Sequence, residues 1–236
     1  MREMAGKVAV VTGGARGLGD AICRMLAEEG CDVVSADKLH SRAAGDPARP
    51  GVTTLPLDVR DAGAVAAGLR QVADERGGLD ILVNDAAVDV TKPIDELSQA
   101  EFDAVLAVNL RAPFAASKAA FPLMRARGGG DIVNIASTAS KRCWANACAY
   151  HATKWGLLGL SHSLHAEGRG DNIKVSAIVS GGMRTPFLLE RFPDIPLATL
   201  QDPENVAAAV RFVLTQPEEC CVPELMVMPR TETSWP

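Results

Sequence analysis

The chain has 236 residues, of which 47% are hydrophobic and 22% charged, and a formal net charge of -5. That length allows one domain with a sizeable core, and an acidic balance with no basic stripe argues against a nucleic-acid surface. No apolar run reaches membrane-spanning length, and residues 1–7 lack the basic start, apolar centre and small-residue cleavage site of a secretory leader, so a cytoplasmic protein is expected.

Lys7 to Thr12 is a short β-branched run and predicts a buried strand. The turn from Gly13 to Gly19 follows, and a helical stretch from about Leu18 to Glu29 stops at Gly30. Cys31 to Ala36 predicts a second strand, closed by Asp37; Ser41 to Gly51, with Gly45, Pro47 and Pro50, predicts a loop. Val52 to Leu57 predicts a third strand that runs into Asp58 and Val59. Asp61 to Arg76 is helical and ends at Gly77 and Gly78. Leu79 to Val83 predicts a fourth strand, and two helical stretches follow, about Ser98 to Asn109 and Leu110 to Arg125. The run from Ile132 predicts a strand ending at Ser137, and Ala147 to Glu167 a helix. Ile173 to Val179 predicts a sixth strand, Ser180 to Leu200 an irregular segment, and Pro203 to Leu214 a helix with Asp202 as its N-cap. Leu225 to Met228 predicts the last strand.

Strands alternating with helices of these lengths predict a single doubly wound, Rossmann-type parallel sheet of about seven strands with helices on both faces. One domain is expected over residues 1–236, with 228–236 as a C-terminal tail. Ligands of such sheets bind beyond the carboxyl ends of the strands, so Gly13, Asp37, Asp58, Asn84, Ser137 and Ser180 are expected to line one crevice.

None of the six cysteines shows Cys-x-x-Cys spacing, so reduced, packed thiols are expected. His162 and His165 lie three apart on a predicted helix, but no carboxylate or cysteine partner is evident, and no metal is expected.

Two patterns carry chemistry. Gly13, Gly17 and Gly19 follow the first strand, where glycines let the backbone turn tightly and approach a pyrophosphate at a helix N-terminus. Asp37 stands near the offset of about 20 residues at which a carboxylate binds a cofactor ribose, which favours NAD over NADP; Arg16 and Lys38 keep the NADP reading open. Tyr150 and Lys154, four apart, share a helix face near Ser137. A phenol titrates near ~10 in water, and a fixed ammonium lowers that value, so the pair predicts a proton donor and acceptor for an alcohol.

Together these features resemble the short-chain dehydrogenase/reductase family. Thr12, Gly13, Arg16, Gly17, Leu18 and Gly19 fall in a stretch similar to its cofactor motif, and Asp58 with Val59 resembles its adenine contact. Asn84, Asp85, Ala86 and Ala87 stand where the family has Asn-Asn-Ala-Gly. Asn109, Ser137, Tyr150 and Lys154 match its catalytic tetrad. Gly181, Met183 and Thr185 lie in a segment similar to the family's Pro-Gly clamp on the nicotinamide carboxamide, with Ser180 in place of the proline.

The resemblance implies hydride transfer between a nicotinamide cofactor and a secondary alcohol or ketone. Tyr150 is then the acid/base, Lys154 the ribose ligand, Ser137 the oxygen-positioning group and Asn109 the holder of a relay water. An NADPH-dependent carbonyl or 3-oxoacyl-type reductase, and a non-catalytic NAD(P)-binding sensor, are the competing readings. Ala87 and Ser180 are expected to weaken or loosen the cofactor site, and the short stretch from Thr185 to Asp202 to leave the pocket open. Asp89, Val90, Thr138, Ser140, Trp144, Met183 and Phe187 are expected along the substrate wall. Lys141, Arg142 and Arg184 meet either an acidic substrate group or solvent. The family packs the helices that start at Leu110 and Ala147 against partner subunits, which implies a homodimer or homotetramer.

Overall fold

The computed structural model describes residues 3–39 and 50–232. Residues 41–49 of the expected loop and 233–236 of the tail lie outside the described residues. One parallel sheet of seven strands organises the chain: β1 (Val8–Thr12), β2 (Asp32–Asp37), β3 (Val52–Pro56), β4 (Ile81–Asn84), β5 (Gly130–Ile135), β6 (Ile173–Ser180) and β7 (Glu224–Val227). Their order is β3-β2-β1-β4-β5-β6-β7. The chain therefore reverses its winding between β1 and β4, and the carboxyl ends of those two strands open a crevice at the switch point.

Period-two alternation in the strands supplies both faces. Ala9 and Val11 of β1 pack with α1 (Gly17–Glu28) and α7 (Pro203–Leu214), through Ile22, Leu26, Val206 and Val210. Val8 and Val10 pack on the other face with α2 (Ala62–Arg76) and α4 (Ala112–Ala126), through Leu69, Val72, Ala120 and Met124. Ile22 and Leu26 are wholly buried, so truncating either to alanine removes about 2–5 kcal/mol of stability. In the middle of the sheet Asn84 of β4 lies opposite Asn134 of β5. Asn84 Nδ2 donates to Asn134 Oδ1 at 2.8 Å, and Asn134 Nδ2 donates to Ser161 Oγ at 2.9 Å on α5 (Cys148–Gly168).

Several local expectations need correction. The two stretches expected to meet at Asn109 form one continuous path: α3 (Gln99–Leu106), a π-helical turn Ala107–Arg111, then α4. Pro113 follows the π-helical turn at the start of α4 and supplies no N–H to the helical turn before it. β5 ends two residues before Ser137, which instead opens a 3-10 turn, Thr138–Ser140. The segment after β6 is less irregular than expected, holding α6 (Pro186–Leu189) and a 3-10 turn, Leu197–Thr199. Asp202 precedes α7 but makes no side-chain cap; its carboxylate is turned to Arg184, 2.6 Å away. Among the described residues no helix is long and apolar enough to cross a membrane.

Candidate active site

At the switch point β1 leads into backbone that only glycine fits. Gly13 has φ +73°, and a Cβ there would lie 2.8 Å from the Ala86 N and Cα atoms. Gly19 opens onto the same turn, where a Cβ would stand 2.3 Å from the Gly13 carbonyl oxygen. The Thr12 hydroxyl donates to Val83 O and accepts from the Ala86 N–H, both at 3.4 Å, so it ties β1 to the segment after β4. No side chain caps α1, and its N-terminal turn borders a cavity of about 660 Å³. A narrow concave backbone at a helix N-terminus suits a pyrophosphate. These residues therefore fit a dinucleotide.

Asp37, at the end of β2, lines the cavity. Its carboxylate accepts from the Ala15 N–H at 3.2 Å and from the Leu39 N–H at 2.9 Å, which fixes its direction. Both cations that kept NADP open, Arg16 and Lys38, line the cavity, and Arg16 pairs with Glu190 at 2.7 Å. Asp58 and Val59 line the cavity farther along. The Arg60 guanidinium grips Asp58 and holds its carboxyl down at about 2.

Ser137, Tyr150 and Lys154 line the same cavity. Ser137 reaches it from the end of β5, on the side of the Tyr150 phenol, and its Oγ accepts from the Ala139 N–H at 3.1 Å. Helix α5 presents Tyr150 and Lys154 one turn apart, with Lys154 Nζ 5.5 Å from the phenol ring centre. Lys154 Nζ donates to the Ile135 carbonyl at 2.7 Å, which uses one of its three donors.

The pKa pattern differs from the simple expectation that Lys154 lowers the phenol. Burial pushes Tyr150 up to about 12; Ser137 and Arg191 pull the other way, and Asp89 and Asp85 add to the rise. Burial brings Lys154 down to about 8, opposed by Asp85 and Asp89. Desolvation therefore outweighs the charges around the pair. Asp85, where the family pattern has an asparagine, is half-buried, and desolvation pushes it up to about 7, with Lys154 and the Gly19 N–H pulling it down and Asp37 pushing it up.

Asn109 sits in the π-helical turn, buried and off the cavity wall. Its Oδ1 accepts from the Val88 N–H and its Nδ2 donates to Val88 O, both at 2.8 Å, with a further bond to Thr153 Oγ1 at 3.2 Å. Thr12, Gly19 and Asn84 likewise stand behind the wall, where they hold backbone in place. Leu18, Ala86, Gly181, Met183 and Thr185 line the cavity alongside Gly13, Arg16 and Gly17. Ser180 does not loosen its segment: β6 runs through it, and its hydroxyl donates to Ala136 O at 3.3 Å.

At the other end of the cavity, Asp89, Thr138, Trp144, Met183 and Phe187 form wall as expected, but Val90 and Ser140 do not. The Ser140 hydroxyl turns to Ser137 O instead. Lys141 pairs with Glu224 at 2.8 Å and Arg184 with Asp202, both away from the cavity. Helix α6 and the residues after it line the cavity, and Arg191 forms an ion pair with the nearly buried Asp89. Its guanidinium stacks 4.3 Å from the Phe187 ring centre, and that ring lies 6.0 Å from the ring of Tyr150. The tail also folds inward: Glu232 lines the cavity, and its carboxylate accepts from the Gly182 N–H at 3.0 Å.

Sequence reasoning missed Arg191, Glu190 and Glu232, whose partners lie far along the chain. It also missed partners for both helical histidines. His162 meets Glu224 at 3.5 Å and His165 meets the Cys221 thiol at 3.6 Å, as separate pairs. Among the described residues no three potential ligands gather for a metal. The described cysteines are all free.

Comparison with known proteins gives one answer. The family model described as short chain dehydrogenase matches residues 7–195. An uncharacterised oxidoreductase of Staphylococcus haemolyticus is 32% identical over 97% of this chain and all of its own length. An acetoacetyl-CoA reductase of Allochromatium vinosum is 30% identical over 88% of this chain and 90% of its own. The crystal structure of a 3-ketoacyl-(acyl-carrier-protein) reductase from Brucella melitensis complexed with NADH superposes with a TM-score of 0.86 at 26% identity, covering 97% of this chain and 99% of that one. This chain is an oxidoreductase that belongs to the short-chain dehydrogenase family.

Proposed function

We propose that the protein interconverts a secondary alcohol and a ketone with NAD, using Tyr150 as the group that gives or takes the hydroxyl proton. The observation that carries this reading is the shared wall: the glycine turn, Asp37, Ser137, Tyr150 and Lys154 all face one cavity. Gly13, Arg16, Gly17 and Leu18 would hold the pyrophosphate side of the cofactor, Asp37 its adenosine ribose, Asp58 and Val59 its adenine, and Gly181, Met183 and Thr185 its carboxamide. When bound, the nicotinamide supplies the hydride or accepts it.

The residues of this chain supply the rest. Ser137 orients the substrate oxygen by a hydrogen bond and stays uncharged. Tyr150 transfers the proton at its phenol oxygen. Lys154 has donors left beyond Ile135 O and would bind ribose hydroxyls beside the phenol. Asn109 acts at one remove: its amide locks the Val88 backbone to α5 through Thr153, which sets the wall beside Lys154. Asp89 and its partner Arg191 stand in the cavity wall on the phenol side and set the charge there. The relay water assigned to Asn109 would have to be met by its backbone, since its amide is already engaged.

A second reading, an NADPH-dependent 3-oxoacyl-type reductase, has support in Lys38 at the cavity wall and in the reductase names among the relatives. We read the protein as cytoplasmic. Half-exposed Phe114 on α4 and Trp155 on α5 support association into a dimer or tetramer through those helices. The test is a titration with NADH and with NADPH, followed by nicotinamide fluorescence. NADH is expected to bind at least about tenfold tighter, because the fixed Asp37 carboxylate repels a 2′-phosphate. Tighter NADPH binding would move the assignment to the second reading.

A further inference from the structure

We propose that His151, the neighbour of Tyr150, is a positioning residue that fixes substrate selectivity by clamping Trp144 at the mouth of the cavity; this rests on the alcohol and ketone reading above. The imidazole is buried, and both of its nitrogens are engaged. Nε2 lies 3.1 Å from the backbone nitrogen of Trp144, and Nδ1 lies 3.0 Å from the carbonyl oxygen of Ala139. A backbone N–H can only donate and a carbonyl can only accept. The ring is therefore neutral, with its hydrogen on Nδ1 and a lone pair on Nε2 for Trp144. The indole stands edge-on to the imidazole at 4.3 Å and 74°.

The two bonds tie a buried turn to a residue of the cavity wall. Ala139 belongs to the 3-10 turn that follows Ser137, and Trp144 to the connection between that turn and α5. The Trp144 side chain lines the cavity yet is 45% exposed, so burial alone does not hold it. One imidazole thus sets the distance between the turn that carries Ser137 and the ring that closes the wall, from a helix position adjoining the phenol. A packed histidine with no such role would affect stability when replaced, but not the mobility of Trp144 or the choice of substrate.

The test begins with readouts that need no turnover. In the full-length protein, 15N shifts of His151, assigned by their loss in His151→Gln, are expected to show hydrogen on Nδ1 only. Trp155→Phe with Trp235→Phe leaves Trp144 as the single tryptophan. In that background His151→Leu is expected to raise acrylamide quenching about twofold or more, and His151→Gln to restore it, since a carboxamide both accepts and donates. Hydrogen on Nε2, or quenching unchanged by His151→Leu, overturns the clamp. Turnover then tests selectivity on a series of secondary alcohols of increasing bulk. His151→Leu and Trp144→Ala are expected to raise KM about tenfold for the substrates that reach the indole, with a smaller change in kcat. Altered quenching with an unaltered KM series overturns the selectivity role. If the unaltered protein turns over no alcohol or ketone, the functional reading fails by itself, and the shifts and quenching still decide the clamp.

Discussion

The two ends of the cavity are built from different material. The cofactor end is made of backbone: Gly13 and Gly19 pack against main-chain atoms, and Asp37 is aimed by two backbone N–H groups. The substrate end is made of side chains that meet across long stretches of sequence, such as Arg191 with Asp89 and Phe187 with Tyr150. Backbone walls cannot be altered by one residue without moving an element. Side-chain walls can be exchanged singly. A family that keeps one cofactor and changes its substrates is what such a division permits.

The sharpest way to separate the ends is Tyr150→Phe. It is expected to lower kcat by about a thousandfold or more, while the NADH dissociation constant changes by less than about twofold. A large loss of NADH binding would mean that the phenol belongs as much to the cofactor end as to the chemistry. Gly19→Ala tests the backbone wall directly. The added methyl meets the Gly13 carbonyl oxygen, so NADH affinity is expected to fall about tenfold and stability by about 1–3 kcal/mol, measured by titration and calorimetry. Gly170→Ala, with nothing within 4 Å of the new methyl, serves as the control that should change neither.

Asp85→Asn gives the smallest expected effect and addresses the place where the ends meet. The Asp85 carboxyl sits at about 7 when folded and near ~4 when unfolded, so the folded chain holds the extra proton between those values. Its contribution to stability is present in full below about 4 and is lost as pH rises through about 7. The asparagine variant should therefore show a flatter dependence of Tm on pH across that window. It also removes a negative charge that raises both Tyr150 and Lys154. The ionisation that limits alcohol oxidation should then move to lower pH, by up to about one unit. An unmoved profile would show that Asp85 acts on the cofactor turn alone.

Legibility in the sequence followed the same division. The parallel sheet and the run of α7 were readable because strand alternation, glycine stops and Pro203 are local signals. The gathering of Gly13, Asp37, Ser137, Tyr150 and Lys154 followed from strand ends that share one edge. The π-helical turn at Asn109 was not readable from local pattern, and the partner of its amide, Val88, lies across the fold. Nor was the pairing of Arg191 with Asp89, since nothing near either residue announces the other. Asp202 shows the limit of a local rule: it has the residue type and place of an N-cap, yet its carboxylate goes to Arg184.

The paired amides of Asn84 and Asn134 bear on folding fidelity. Flanked by Ile81, Leu82 and Val83 on one strand and Ile132, Val133 and Ile135 on the other, β4 and β5 are apolar runs that could pair at more than one offset. A shift by one residue would put the two asparagines on opposite faces of the sheet and part their amides in the core, at about 1–3 kcal/mol for each unsatisfied group. Hydrophobic residues penalise such a slip far less, because one buried aliphatic resembles another. The amide pair thus acts as an error check on strand alignment, and Asp85 and Ser137, which follow within three residues, come to the same level of the molecule only when that check is passed.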